Sequence, residues 1–403
     1  MKNTPTQVAA SQSYLVPLLL IGILFFVFGF VTWVNGVLIA FFKKSFQLTD
    51  IQSYLVTFAF FISYTLMAIP GSAILRRTGF KNGMSLGLGV MAVGTFIFIP
   101  AANSVSYPFF LGGLFIIGIG LTLLQTASNP YVTILGPRES AAQRISFLGI
   151  MNKVAGIVGL EILGGVLLKE NSSLNDVVVP YAILTGAFIL MALLTRLANL
   201  PEVSEEQEMA ENLTTEKSSV FAFPNLVLGV IAMFVYVGAE VIAADTIILY
   251  GKELGFEENI SKRFPQITLV GMLVGYVLGI VLIPKFISQQ LFLRISAVSG
   301  IFFAILAIFT KSMISVYCIG LLGLSNAIMW PAIWPLAING LGKFTKIGSA
   351  LLIMGIAGGA ILPLLYGYTA EIIASRQIAY LVVIPLYMYI LYYAVVGHKK
   401  INW

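Results

Sequence analysis

The stretch from Leu121 to Pro137, L-T-L-L-Q-T-A-S-N-P-Y-V-T-I-L-G-P, is too apolar for a loop, yet Gln125, Ser128, Asn129 and Pro130 stand inside it. Pro130 removes a backbone donor and is expected to kink a helix. Gln125 and Asn129 are four residues apart, so on a helix both amides project from one face. Amides in a lipid-spanning helix cost free energy unless they face protein partners or a water-filled cavity. One isolated amide would point to helix–helix hydrogen bonding. Two beside a proline, within a longer row of such sites, point to a polar cavity.

Working outward, 59% of the 403 residues are hydrophobic and 10% are charged, with 38 glycines. This is the composition of an all-α polytopic membrane protein, with the lipid bilayer as its solvent. The single cysteine, Cys318, excludes an intramolecular disulfide framework. With one cysteine and one histidine, no metal site is expected. There is no Walker-type phosphate loop and no serine–histidine pairing, so neither ATP-driven transport nor hydrolysis is supported; no cofactor and no enzymatic step are expected. The net charge of +6 is assigned to membrane topology and not to nucleic-acid binding. Residues 1–13 are polar. The apolar run that follows is too long for a signal-peptide core and is expected to be a retained span.

About twelve segments have the length a bilayer requires: 14–40, 51–75, 84–102, 107–135, 146–168 and 178–199, then 223–250, 267–284, 291–310, 313–341, 347–370 and 377–396. Connections are short except one. Pro201 to Ser219 carries Glu202, Glu205, Glu206, Glu208, Glu211 and Glu216 and is expected to be a solvated linker. The expected organisation is a six-helix bundle over 1–199, the acidic linker over 200–222, and a second six-helix bundle over 223–403. Lys2, Arg76, Arg77, Lys81, Arg138, Arg144, Arg196, Lys217, Lys285, Arg294, Lys343, Lys346, Lys399 and Lys400 fall on one set of connections. Fewer fall on the other: Lys43, Lys44, Lys169, Lys252, Lys262, Arg263, Lys311 and Arg376. Both termini and the linker are therefore expected in the cytoplasm. The halves are weakly alike: Gly120-Leu121 to Pro130 and Gly136-Pro137 in the first, Gly323-Leu324 to Pro331, Pro335 and Gly340 in the second. A repeat of proline-broken, polar-studded helices places a substrate site at the midplane between halves.

Other polar residues extend the row. Trp33 is read either as an interfacial belt residue or as a stacking face for a sugar; Asn35 lies within the same span. The fifth span carries Asn152, Lys153 and Glu161. Lys153 either snorkels to water or sits buried with a partner. The seventh span carries Glu240 and Asp245. Intramembrane carboxylates suggest an ion or proton site, although Asp245, nearer the end of its span, can also be simply solvated. The tenth span gives Asn326, Trp330, Trp334 and Asn339. Two tryptophans four apart face the same way, and aromatic faces with nearby amides suit a carbohydrate; ordinary packing is the competing explanation. Gly355 to Pro363, G-I-A-G-G-A-I-L-P, suits close helix approach.

The runs V-T-W-V-N-G-V-L-I, L-V-T-F-A-F-F-I-S-Y, Q-T-A-S-N-P-Y-V-T-I-L-G-P, M-N-K-V-A-G and Y-V-G-A-E resemble the sugar permeases of the major facilitator superfamily. The group they resemble is the L-fucose:proton symporter family in its glucose/galactose transporter branch, and the resemblance covers nearly the whole chain. It implies twelve transmembrane helices in two bundles and alternating access to a central site. The expected function is cation-coupled uptake of a hexose or related monosaccharide, by a monomer in a bacterial inner membrane. Asn152 stands where that family has an amide that binds sugar. Gly36 and Gln125 stand where the fucose symporter has an aspartate and a glutamate, Glu240 where it has a glutamine, Trp330 where it has a tyrosine. Proton coupling is therefore not implied by its usual residues, and Glu240, Asp245 and Lys153 become the coupling candidates. Trp33, Asn35, Gln125, Asn129, Asn152, Asn326, Trp330 and Trp334 are the substrate-binding candidates. A sodium-coupled or uncoupled carrier is the rival within the class. A sugar sensor would want an output domain, which the short termini do not offer. Drug efflux would want a largely apolar pocket.

Overall fold

Lipid offers no partner to a bare backbone N–H or C=O, so apolar segments of this length must satisfy their backbone internally, as helices. The computed structural model describes residues 15–134, 141–198, 218–283, 285–400 and 402–403, and among them there is no β-strand. In the first half the helices are α1 (Leu15–Trp33), α2 (Asn35–Phe46), α3 (Asp50–Asn103), α4 (Tyr107–Ile134), α5 (Ala141–Leu167) and α6 (Val178–Leu197). In the second half, besides the single turns Glu258–Ser261 and Arg376–Ala379, they are α7 (Pro224–Asp245), α8 (Ile247–Glu253), α9 (Phe264–Leu282), α10 (Gln289–Phe309), α11 (Ser312–Asn326), α12 (Met329–Ile338), α13 (Thr345–Met354), α14 (Gly358–Ile373) and α15 (Val383–Val395).

Among the described residues, eleven stretches are long and apolar enough to cross a bilayer. One of them, α3, is two crossings: Gly79, at φ 75° and ψ 171°, turns the chain without a loop. That conformation is open to glycine and almost nothing else. The twelve expected crossings are therefore present, with the second and third joined by one residue where a longer connection was expected.

Interruptions fall at Val34 between α1 and α2, at Thr246 between α7 and α8, and at Ala327–Ile328 between α11 and α12. The prolines are not the break points. Helix α4 continues through Pro130 to Ile134. Pro331 occupies the first turn of α12, where its missing N–H has no partner to lose. The acidic linker through Lys217 lies outside the described residues.

The first bundle packs α3 against α4 and α6, and α1 against α5; the second packs α11 against α9 and α10, α10 against α15, and α7 against α12 and α14. Among the described residues the halves meet where α3 lies on α14, α5 on α9, and α2 on α7 and α8. Gly358 shows why small residues line such contacts: a Cβ there would run into the carbonyl oxygen of Phe234 on α7. Ile183, Leu190, Leu197, Phe302 and Phe309 are exposed, and a contiguous apolar exterior of this kind belongs in lipid. Successive crossings reverse direction. The connections at 47–49, 104–106, 168–177, 254–263, 310–311 and 374–375 therefore share one end, here the far end. The α6–α7 connection lies at the opposite, linker end.

Candidate functional site

The centre is built on α1, α5 and α7, at the seam between halves. Trp33 closes α1 and is 5% exposed. Its indole Nε1 donates to Asn152 Oδ1 on α5 at 2.9 Å. The next residue, Lys153, carries its Nζ over the Trp33 ring, 3.8 Å from the centroid. The same ammonium lies 3.2 Å from Glu240 Oε1 on α7. Lys153 and Glu240 are both buried, at 6% and 8% exposure. The result is an ion pair and a cation–π contact in one cluster, with one partner from each bundle.

Small residues make this approach possible. A Cβ on Gly156 would strike the Trp33 ring, and one on Gly29 the backbone of Asn152. The charges compensate one another in a region where a lone charge is costly. The hydroxyls of Tyr236, Tyr276 and Tyr387 are within electrostatic reach of Glu240. The Tyr387 hydroxyl donates to Asn326 Oδ1 at 2.9 Å. Such an arrangement can orient a polyhydroxylated ligand by hydrogen bonds and change its charge state locally.

Trp33 is not an interfacial belt residue, because it is buried at mid-protein. Lys153 does not snorkel to water, since a carboxylate from the opposite bundle is within reach. Asp245 is not solvated: it is 3% exposed, packed against the backbone of Gly36, whose Cβ would stand 3.5 Å from Asp245 Oδ1. Glu161 faces away from this cluster, exposed, with Arg263 at 3.3 Å. Asn35 is fully buried, and among the described residues neither of its amide atoms has a hydrogen-bond partner; Asn326 Nδ2 is in the same position. Gln125 is half-buried on α4. Asn129 is on the same helix, its side chain outside the described residues. Trp330 and Trp334 stack at 5.5 Å and 23° on α12, as their spacing implies. Among the described residues, no hydrogen bond or ring contact joins Gln125 or this tryptophan pair to the Lys153 cluster. Tyr236, Tyr276 and Tyr387 were not legible as site residues. Their only signal in the sequence is helical register, with Tyr236 one turn before Glu240.

Two bundles enclosing a buried polar centre, with lipid-facing exteriors, define a membrane carrier. The chain belongs to the major facilitator superfamily, whose family model matches residues 21–379. It is 34% identical over 410 residues to the glucose/galactose transporter of Brucella abortus biovar 1 (strain 9-941), covering 99% of this chain and 98% of that one. It is 28% identical over 388 residues to the L-fucose-proton symporter of Escherichia coli (strain K12), covering 90% and 88%. Among solved structures, the transporter FucP in its outward conformation superposes with a TM-score of 0.73 at 27% identity, over 95% of this chain and 99% of that one.

Proposed function

We propose that this carrier takes up a hexose or a related monosaccharide by alternating access, driven by a cation gradient, with the proton as the first candidate. The observation that carries the proposal is the Lys153–Glu240 pair, which bridges the bundles against the face of Trp33, itself held by Asn152. A sugar bound there would meet an amide, an indole and a titratable charge pair at once. Names of relatives support the substrate class: a glucose/galactose transporter and an L-fucose-proton symporter. Trp33, Asn35, Gln125, Asn129 and Asn152 from the first bundle, and Asn326, Trp330 and Trp334 from the second, form the binding set. The stacked indoles of Trp330 and Trp334 offer the apolar C–H face of a sugar a matching surface.

Coupling falls to Glu240 with Lys153 as its counter-ion. Protonation of Glu240 would leave the ammonium with the Trp33 face alone, loosening the tie between bundles. Asp245 supports it from the next interruption of the same crossing. The moving bodies are residues 1–199 and 223–403, joined by the 200–222 linker. The linker and both termini are placed in the cytoplasm of a bacterial inner membrane, so the far end faces outward, and the protein works as a monomer. Counterflow in proteoliposomes against labelled monosaccharides, with and without pH and sodium gradients, tests this. Labelled hexose exchange with pH-driven accumulation supports it. Sodium-driven or gradient-independent exchange selects the sodium-coupled or uncoupled carrier, and no exchange of any monosaccharide refutes it.

A further inference from the structure

The far end is held shut by charges, and the pattern of their partners is informative. Asp50 opens α3 in the first half. Its Oδ1 takes Lys43 Nζ at 2.6 Å and an Arg376 guanidinium nitrogen at 2.7 Å. Lys43 belongs to the same half as Asp50; Arg376 belongs to the other. Arg376 in turn reaches Glu253, in its own half, at 2.9 Å, and its backbone N–H also donates to that carboxylate. A second strand repeats the scheme. Glu258 takes Lys44 from the opposite half at 3.4 Å and Lys252 from its own. Lys44 also donates to the carbonyls of Lys169 and Glu170, in its own half, at 3.2 Å each.

Every charge in the Asp50–Arg376 and Lys44–Glu258 bridges therefore has a second partner on its own side. An ordinary buried ion pair strands a bare charge when it breaks, at a cost that exceeds the pair's own worth. Here Asp50 would keep Lys43, Arg376 would keep Glu253, Glu258 would keep Lys252, and Lys44 would keep its carbonyls. We infer that the Asp50–Arg376 and Lys44–Glu258 bridges form a reversible latch on the far end, in which own-half partners stabilise the open state and cross-half partners the closed one. Asp50 is the hub, its side chain 7% exposed, so its strand is the less screened by salt. Glu371, accepting the Ile51 N–H at the first turn of α3 at 2.8 Å, adds a third tie across the same gap.

The inference rests on alternating access but not on a sugar, so a distance measurement tests it separately from transport. Cysteines replace Asn171 and Lys311, exposed far-end residues of opposite halves, in a Cys318→Ala background. Spin labels on the full chain in nanodiscs, without ligand, report the inter-half distance by pulsed EPR. Arg376→Gln removes a cross-half partner and should raise the long-distance population about tenfold relative to the short one, about 1.4 kcal/mol. Lys43→Gln and Glu253→Gln remove own-half partners and should shift the population the opposite way. If Arg376→Gln does not fold, the second strand gives the same test. A change of sign is expected between Glu258→Gln in a Lys252→Gln background, which opens, and Lys252→Gln alone, which closes. Opposite signs support the latch. Shifts of one sign in all variants, no shift, or a wild type with a single unchanging distance overturn it. In the last case, labels at the linker end tell whether alternating access falls as well.

Discussion

Glu240→Gln tests the centre most directly. The substitution leaves shape almost unchanged and removes one member of a pair at 3.2 Å whose side chains are 7% and 10% exposed. Removing one partner of a buried pair costs about 3–5 kcal/mol, because the other charge stays behind. Lys153 is not wholly abandoned, since the Trp33 ring lies 3.8 Å away. That contact is already made in the wild type, so it offsets none of the loss, and the expected cost stays at about 3–5 kcal/mol. Adding Lys153→Met should recover most of that loss, so the double-mutant cycle should give a clear interaction term. Thermal unfolding of the purified protein reads the stability side. Proteoliposomes read function: Glu240→Gln should lose active accumulation while retaining exchange of sugar across the membrane. Accumulation against the gradient that remains pH-dependent in Glu240→Gln would refute the coupling role. Additive stability losses in the cycle would refute the energetic reading of the pair. Accumulation by wild type only with sodium would keep the carboxylate as an ion ligand and remove the proton mechanism.

The remaining expectations concern the cavity, the acid at the helix interruption and the topology. A Gln125→Leu/Asn152→Leu double variant should bind sugar several-fold to tenfold more weakly per lost bond, at about 0.5–1.5 kcal/mol each. Because Asn152 also holds the Trp33 indole, its share should be the larger; unchanged affinity in a folded protein removes both from the site. Asp245→Asn should weaken accumulation less than Glu240→Gln does, measured in the same vesicles. Gly36→Ala, whose methyl would stand 3.1 Å from Asp245 Cα, should lower the unfolding temperature, whereas Gly89→Ala, with open space around it, should not. An accessibility tag between Glu205 and Glu211 should be labelled only after the membrane is opened, and labelling of intact spheroplasts would reverse the proposed orientation.

The crossings were legible because bilayer thickness sets a length, and length is written in the chain. The joint at Gly79 was not, because a one-residue turn carries none of the polar composition that marks a loop. Pro130 marks no break in α4 either. A proline in a lipid-spanning helix keeps its helical neighbours when packing holds them, so residue type alone does not locate a break. The site was half legible. Lys153, Glu240, Trp33 and Asn152 stood out because each is expensive or unusual at its depth. Their pairing did not, since Lys153 and Glu240 are 87 residues apart and nothing local links them. Glu161, on a similar helical face to Lys153, looked an equally available companion, but it is exposed and pairs with Arg263 and Gln266 of the other half. The tyrosines around Glu240 stayed hidden among 17 tyrosines.

Placement of the indoles has an optical consequence. The chain has four tryptophans. One sits beneath an ammonium in the centre, two are stacked on α12, and Trp403 is 73% exposed near the linker end. An excited indole responds to a nearby positive charge, so under the proposed coupling Trp33, with the Lys153 ammonium 3.8 Å from its ring, is the emitter whose surroundings would change. The native emission spectrum is thus a built-in reporter. Trp403→Phe would silence the exposed emitter, and stopped-flow fluorescence on that variant would follow the working centre with no attached dye.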